Sequence, residues 1–203
     1  MRRDAEQNRQ KIIAAADRLI SEQGLGVGHD QIARAAGVAV GTVYRRFPDK
    51  SALVAALFTE QVETVVDAAR AALLVEDAWQ AIVEFLTAIL KMQADSRGLR
   101  ELVSGSPHAQ DLTRYARAQI GPVVRELVAR GHDAGVLRAD IAEQDIALIP
   151  IMVGSIIHTA RTVDAELWRR TLAVVLDGLR AGHRDPLPGS APTSEQLTRI
   201  ISS

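Results

Sequence analysis

The 203-residue chain is 47% hydrophobic but only 3% aromatic, a balance that favours packed helices over sheets. It has no cysteine, which excludes a disulfide framework, a thiolate zinc site and a cysteine nucleophile. The formal charge of −1 selects no partner, and no apolar run reaches the roughly 18 uninterrupted residues of a membrane span; the longest, around Ile146–Ile157, contains Pro150.

The N-terminus has charges without a long apolar run behind them, so no signal peptide is expected and the protein reads as cytoplasmic. Residues 1–8 are polar and expected to be mobile. A first helix should run from about Ala5 to Gln23, with Ile12, Ala16, Leu19 and Ile20 on one face and Gly24 as its stop. After a glycine-rich loop, short helices are expected at about Asp30–Ala36 and Val40–Phe47. Asp49 reads as the cap of a long fourth helix ending near Leu73. A fifth should span about Asp77–Ala94. The stretch 95–108 is broken by Gly98, Gly105 and Pro107, with room for a short helix near Leu99–Val103. Residues Gln110–Asp133 are helical again, and Gly121-Pro122 should kink or split them. Asp140 or Glu143 opens a strongly apolar helix to about Val163, and Asp164 caps another at Ala165–Ala181. The Pro-, Gly- and Ser-rich end, 183–203, reads as a mobile tail with room for a helix at Ser194–Ile201.

Gln31–Lys50, QIARAAGVAVGTVYRRFPDK, carries the most information. A short helix with Ile32, Ala33 and Ala36 meets a turn at Gly37, and a second short helix stops at Phe47-Pro48. Two short helices joined by a glycine turn form the helix-turn-helix, whose second helix enters the DNA major groove. Charge agrees: residues 1–50 hold nine Lys/Arg against six Asp/Glu, whereas 51–203 hold fifteen against nineteen. With the preceding helix included, residues 9–50 resemble the N-terminal domain of TetR-type transcriptional regulators. The resemblance rests on Ile12–Ile13–Ala16, Gly24, Ile32-Ala33, Gly37-Val38, Gly41-Thr42-Val43-Tyr44, Phe47 and Lys50. It implies an all-α protein: a three-helix DNA-binding head (1–48) on a larger helical ligand-binding and dimerisation body (49–182).

The expected DNA contacts follow from side-chain chemistry. Thr42 and Tyr44 offer hydroxyls, and Arg45 and Arg46 can serve phosphates or grip a guanine in bidentate fashion. Gly41 lets the helix backbone approach closely. Lys50 combines a cation with helix-terminal N–H groups. His29 and Gln31 are weaker candidates, and Arg2, Arg3 and Arg9 could reach the minor groove or outer phosphates. Val38, Val43 and Phe47 should be core. Gly28 and Ala39 stand where the resembled family has hydroxyl caps, and Val40 where it has polar residues, which points to weaker backbone affinity.

One head covers a half-site, so operator binding calls for a homodimer on double-stranded, two-fold symmetric DNA. The apolar faces Ile149, Val153, Ile157 and Leu172, Val175, Leu176, Leu179 are the expected interface, with Gly154 permitting close approach; in the resembled family such helices form a four-helix interface. The resemblance further implies a small-molecule effector in the body that moves the fourth helix and releases a repressor. Expected lining residues are Trp79, Phe85, Ile89, Met92, His108, Met152, Ser155 and His158, a mostly apolar set with a few polar groups. The effector itself is not identified by the sequence, and no cofactor or metal is expected. An enzyme is disfavoured because the five histidines are far apart and no nucleophile elbow or phosphate-binding loop occurs. The remaining alternative is a helical dimerisation or adaptor protein with weak or lost DNA binding.

Overall fold

The computed structural model describes residues 2–24, 26–95, 109–182 and 185–202. Among these the fold is all-α: α1 (Arg2–Gln23), α2 (His29–Ala36), α3 (Val40–Arg46), α4 (Lys50–Leu73), α5 (Ala78–Asp95), α6 (Ala109–Asp133), α7 (Glu143–Thr159), α8 (Leu167–Leu179) and α9 (Ser194–Ser202). The break at 95–108, with its short helix near Leu99–Val103, lies outside the described residues. The chain divides into two units, residues 1–63 with 95–114, and 64–94 with 115–203.

In the first unit α1 packs on α2 and α2 on α3. Their core is Ile12, Ile13, Ala16, Ile20, Val27, Ile32, Ala33, Val43 and Phe47, joined by Leu53 and Leu57 of α4. Each fully buried Ile, Leu or Phe contributes roughly 1.5–3 kcal/mol. The turn glycines do what the sequence asks of them. Gly24 (φ 76°) and Gly37 (φ 66°) take the left-handed conformation, and the N–H of Val38 closes on the carbonyl of Ala33 at 3.0 Å. The helix begins earlier than expected. Residues expected to be mobile belong to α1, with Asp4 at its positive end and Arg9 paired to Glu6. Asp49 caps α4, its Oδ1 accepting the N–H of Ala52 at 2.8 Å.

The second unit has its own core, built from Val65 and Ala69 of α4, Ile82, Phe85, Leu86 and Leu90 of α5, Val124 and Leu127 of α6, Ile146, Ile149 and Val153 of α7, and Trp168, Leu172 and Leu176 of α8. α6 runs unbroken through Pro122, so the expected split does not occur. Burial of Val123, Val124, Leu127 and Val128 just after the proline holds the helix together. α5 and α6 meet the 137 loop closely at Gly131, where an added Cβ would lie 3.0 Å from Leu137 Cβ and 3.1 Å from Ile82 Cδ1.

Capping of α7 differs from expectation. Asp145 reaches back to accept the N–H of Ala142 at 2.8 Å, whereas Asp140 is held by Arg138 through two hydrogen bonds of 2.9 and 2.8 Å and by the N–H of Leu187. Both Arg138 and Asp140 therefore fasten the segment that follows α8. An isolated antiparallel bridge, Leu137 with Arg180, fastens it further. In the expected mobile tail, α9 buries Leu197 and links to the body by Arg117 to Thr198 and Gln144 to Ser194.

Candidate nucleic-acid interface

α3 has two faces set by its 3.6-residue period. Val43 is fully buried and Phe47, at the helix end, is 4% exposed, which fixes the helix in the head's core. The opposite side carries Gly41, Tyr44, Arg45 and Arg46, all exposed, with Thr42 half-buried beside them. Nη2 of Arg45 lies 3.4 Å from Thr42 Oγ1, so these two act as neighbours one turn apart. Arg46 donates to the carbonyl of Ala5 in α1 at 3.2 Å, leaving four of its five N–H groups for other acceptors. Lys50 is exposed at the first turn of α4, next to the capping Asp49.

Several candidates make contacts within the head. Gln31 Oε1 accepts the N–H of Gly28 at 3.0 Å, which supplies half of a capping box where the N-cap itself has no side chain. The His29 ring lies against Tyr44 and the carbonyl of Phe47. Arg9 pairs through Nη1 with Glu60 at 3.0 Å and with Glu6 at 3.4 Å. The side chains of Arg2 and Arg3 lie outside those described. Ala39 caps α3 without a side-chain hydrogen bond, and Val40 is 39% exposed, as the sequence suggests.

The expected effector-lining residues differ in burial. Phe85 and Ile89 are buried in the core of the second unit, while Trp79 and Met92 lie at its edge. The guanidinium of Arg180 covers the Trp79 ring at 4.3 Å. Met152, Ser155 and His158 are exposed on the outer side of α7, because Ile146, Ile149, Val153 and Ile157 take the inner side. His108 lies outside the described residues. The expected dimer faces lie as follows in the single chain. Ile149, Val153, Ile157, Leu172, Leu176 and Leu179 are buried within the single chain, and Val175 is half-buried. Gly154 faces Gln93 of the same chain, whose Oε1 would be 2.6 Å from an added Cβ. The outward stripes of these helices are instead Ile151, Met152 and Ser155 on α7 and Ala173, Val174 and Asp177 on α8, with Val174 68% exposed.

Sequence reasoning missed a groove of about 690 Å³ lined by His132, Leu137, Arg138, Asp140, Ala181 and Pro186, among others. It is formed where the Arg138–Asp140 pair fastens the segment after α8. Among the described residues no group of His, Asp and Glu is arranged to hold a metal, and no helix is long and apolar enough to cross a membrane.

Residues 12–57 match the family described as bacterial regulatory proteins, tetR family, and residues 77–181 match the C-terminal domain of SbtR-like transcriptional regulators. A TetR transcription regulatory protein from Mycobacterium vanbaalenii has a similar structure, with TM-score 0.69 and 32% identity over 89% of this chain and 99% of that one. The chain belongs to the TetR family. A TetR transcriptional regulator of Streptomyces coelicolor is also similar, with TM-score 0.67 and 28% identity over 86% of this chain and 99% of that one. An HTH-type transcriptional regulator of Staphylococcus aureus strain USA300 is 44% identical over 54 residues, a match spanning 26% of this chain and 29% of that protein. This TetR-family chain is thus a DNA-binding transcriptional regulator with a helix-turn-helix head and a larger helical body.

Proposed function

We propose that the protein is a homodimeric repressor that binds a two-fold symmetric operator through α3 and the start of α4, and that a small apolar effector releases it. Residues 1–48 form the DNA-binding head, aided by Lys50 just beyond it, and residues 49–182 carry dimerisation and effector binding. The observation that supports this best is the division of α3: Val43 and Phe47 lock it in place while Tyr44, Arg45 and Arg46 stand exposed, with Lys50 exposed one turn beyond. A hydroxyl and three cations on one fixed surface suit a phosphate backbone with a groove between its strands.

Dimerisation uses the outward stripes of α7 and α8, where Ile151, Met152 and Val174 leave apolar surface in water. An effector acts by binding the DNA-incompetent arrangement more tightly. A coupling of about 1–3 kcal/mol, delivered through α4, changes operator affinity roughly 5- to 150-fold. Trp79 and Met92, half-buried at the edge of the body's core, are the proposed lining residues that combine packing with access.

The reading is tested by enriching random-sequence duplex DNA on the purified full-length protein. A recovered motif with two-fold symmetry is expected, and sedimentation should give a dimer. A folded dimer that enriches no motif would shift the protein to the adaptor reading.

A further inference from the structure

His29 is the first residue of α2, and its ring is stacked on that of Tyr44 in α3, with centroids 4.6 Å apart and planes inclined by 15°. Its Nε2 lies 3.1 Å from the carbonyl oxygen of Phe47, the residue that closes α3. A carbonyl only accepts, so this contact places a proton on Nε2. Two polar or aromatic contacts therefore run from α2 to the C-terminal half of α3, in addition to the buried core that Ile32, Val43 and Phe47 share.

We propose that His29 is a positioning residue for DNA binding, holding the Tyr44 ring in place before DNA arrives. The proposal rests on the reading of α3 as the DNA-contacting helix and adds the group that prepares it. Tyr44 is 49% exposed, and an exposed side chain on a bare helix surface must lose rotamer freedom when it binds. Stacking on the imidazole removes that freedom in the unbound protein, so less remains to be lost on the operator. The Nε2–H also satisfies one of the orphan carbonyls at the end of α3. His29 thus contacts both the side chain and the helix end without itself having to reach a phosphate.

Two substitutions separate the two contacts. His29→Gln keeps a donor but loses the ring, and His29→Phe keeps the ring but loses the donor. On an operator recovered by enrichment, His29→Gln is expected to lose affinity roughly three- to tenfold, the range of an aromatic pair. Tyr44→Phe, which removes only the hydroxyl, should cost less in the His29→Gln background than in the wild type. In the His29→Phe background it should cost as much as in the wild type.

An equal cost of Tyr44→Phe in the wild-type and His29→Gln backgrounds overturns the proposal but leaves the DNA-binding reading standing. So does a Tyr44→Phe substitution without cost in a wild type that Arg45→Ala weakens. A protein that enriches no DNA overturns the reading and the proposal together. Should His29→Gln fail to fold, cross-relaxation between the His29 and Tyr44 ring protons in the free wild type decides: its presence is expected, and its absence overturns the proposal.

Discussion

The guanidinium of Arg130 in α6 donates to the carbonyl of Leu73, the last residue of α4, at 2.9 Å, and also reaches the carbonyls of Val75 and Glu76. The final carbonyls of a helix have no partner within it, so one side chain from α6 serves the end of α4 and the turn that follows. Arg130→Met keeps much of the aliphatic stem and removes all three bonds. It should cost about 2–3 kcal/mol in urea unfolding followed by circular dichroism. A change below about 0.5 kcal/mol would mean that water replaces Arg130 without loss.

Gly41 lies exposed in α3, and a Cβ there would meet nothing within 4 Å. No packing in the protein calls for glycine at this position. Gly41→Ala should raise the stability of the free protein by roughly 0.5–1 kcal/mol, measured by thermal unfolding. On the proposed reading of α3 the same change should weaken operator binding several-fold, because the methyl group would stand on the face assigned to DNA. Unchanged affinity would remove Gly41 from the interface.

Ala39 occupies the N-cap of α3 with extended backbone (φ −66°, ψ 141°) and no side-chain hydrogen bond. That conformation accepts serine without rearrangement. Ala39→Ser should stabilise the protein by about 1 kcal/mol and tighten operator binding at low salt, since the hydroxyl can cap the helix or meet a phosphate. Chemical unfolding and a binding titration measure the two effects, and absence of both contradicts the prediction.

The carboxyl of Asp140 is held well below the usual carboxylate range, first by the Arg138 side chain and then by the N–H of Leu187. A depressed folded-state value adds stability that is complete above the unfolded value, about 3.9 for aspartate, and is lost as the pH falls below it. The stability gap between wild type and Asp140→Asn should therefore be constant above about pH 5 and narrow below about pH 4. Unfolding measured across that range gives the gap directly, and widening in acid would contradict the assignment.

The head was legible in the sequence because its periodicity is clean. Ile32 and Ala33 fall on one face of α2, Val43 and Phe47 lie one turn apart at α3, and Gly37 between them marks a turn that needs a left-handed backbone, as found. The body was legible only as helices. Residues 146–153 of α7 are apolar on every side, so no pattern distinguishes the inward Ile149 and Val153 from the outward Ile151 and Met152. The assignment of Asp140 as a cap failed for another reason: Asp145 occupies an equally good position, and only the fold brings Arg138 and Leu187 to Asp140. The stacking of His29 on Tyr44 joins residues of different helices, a relation that local periodicity does not carry.

The most direct test of the central claim is the salt dependence of binding to an enriched operator, measured for wild type, Lys50→Gln and Tyr44→Ala. If α3 and the start of α4 hold phosphates, affinity should fall steeply and linearly on logarithmic axes as salt rises. Lys50→Gln should reduce that slope by about 1 for each head, and Tyr44→Ala should weaken binding throughout. Affinity and slope identical in all three proteins would show that DNA is held by some other surface.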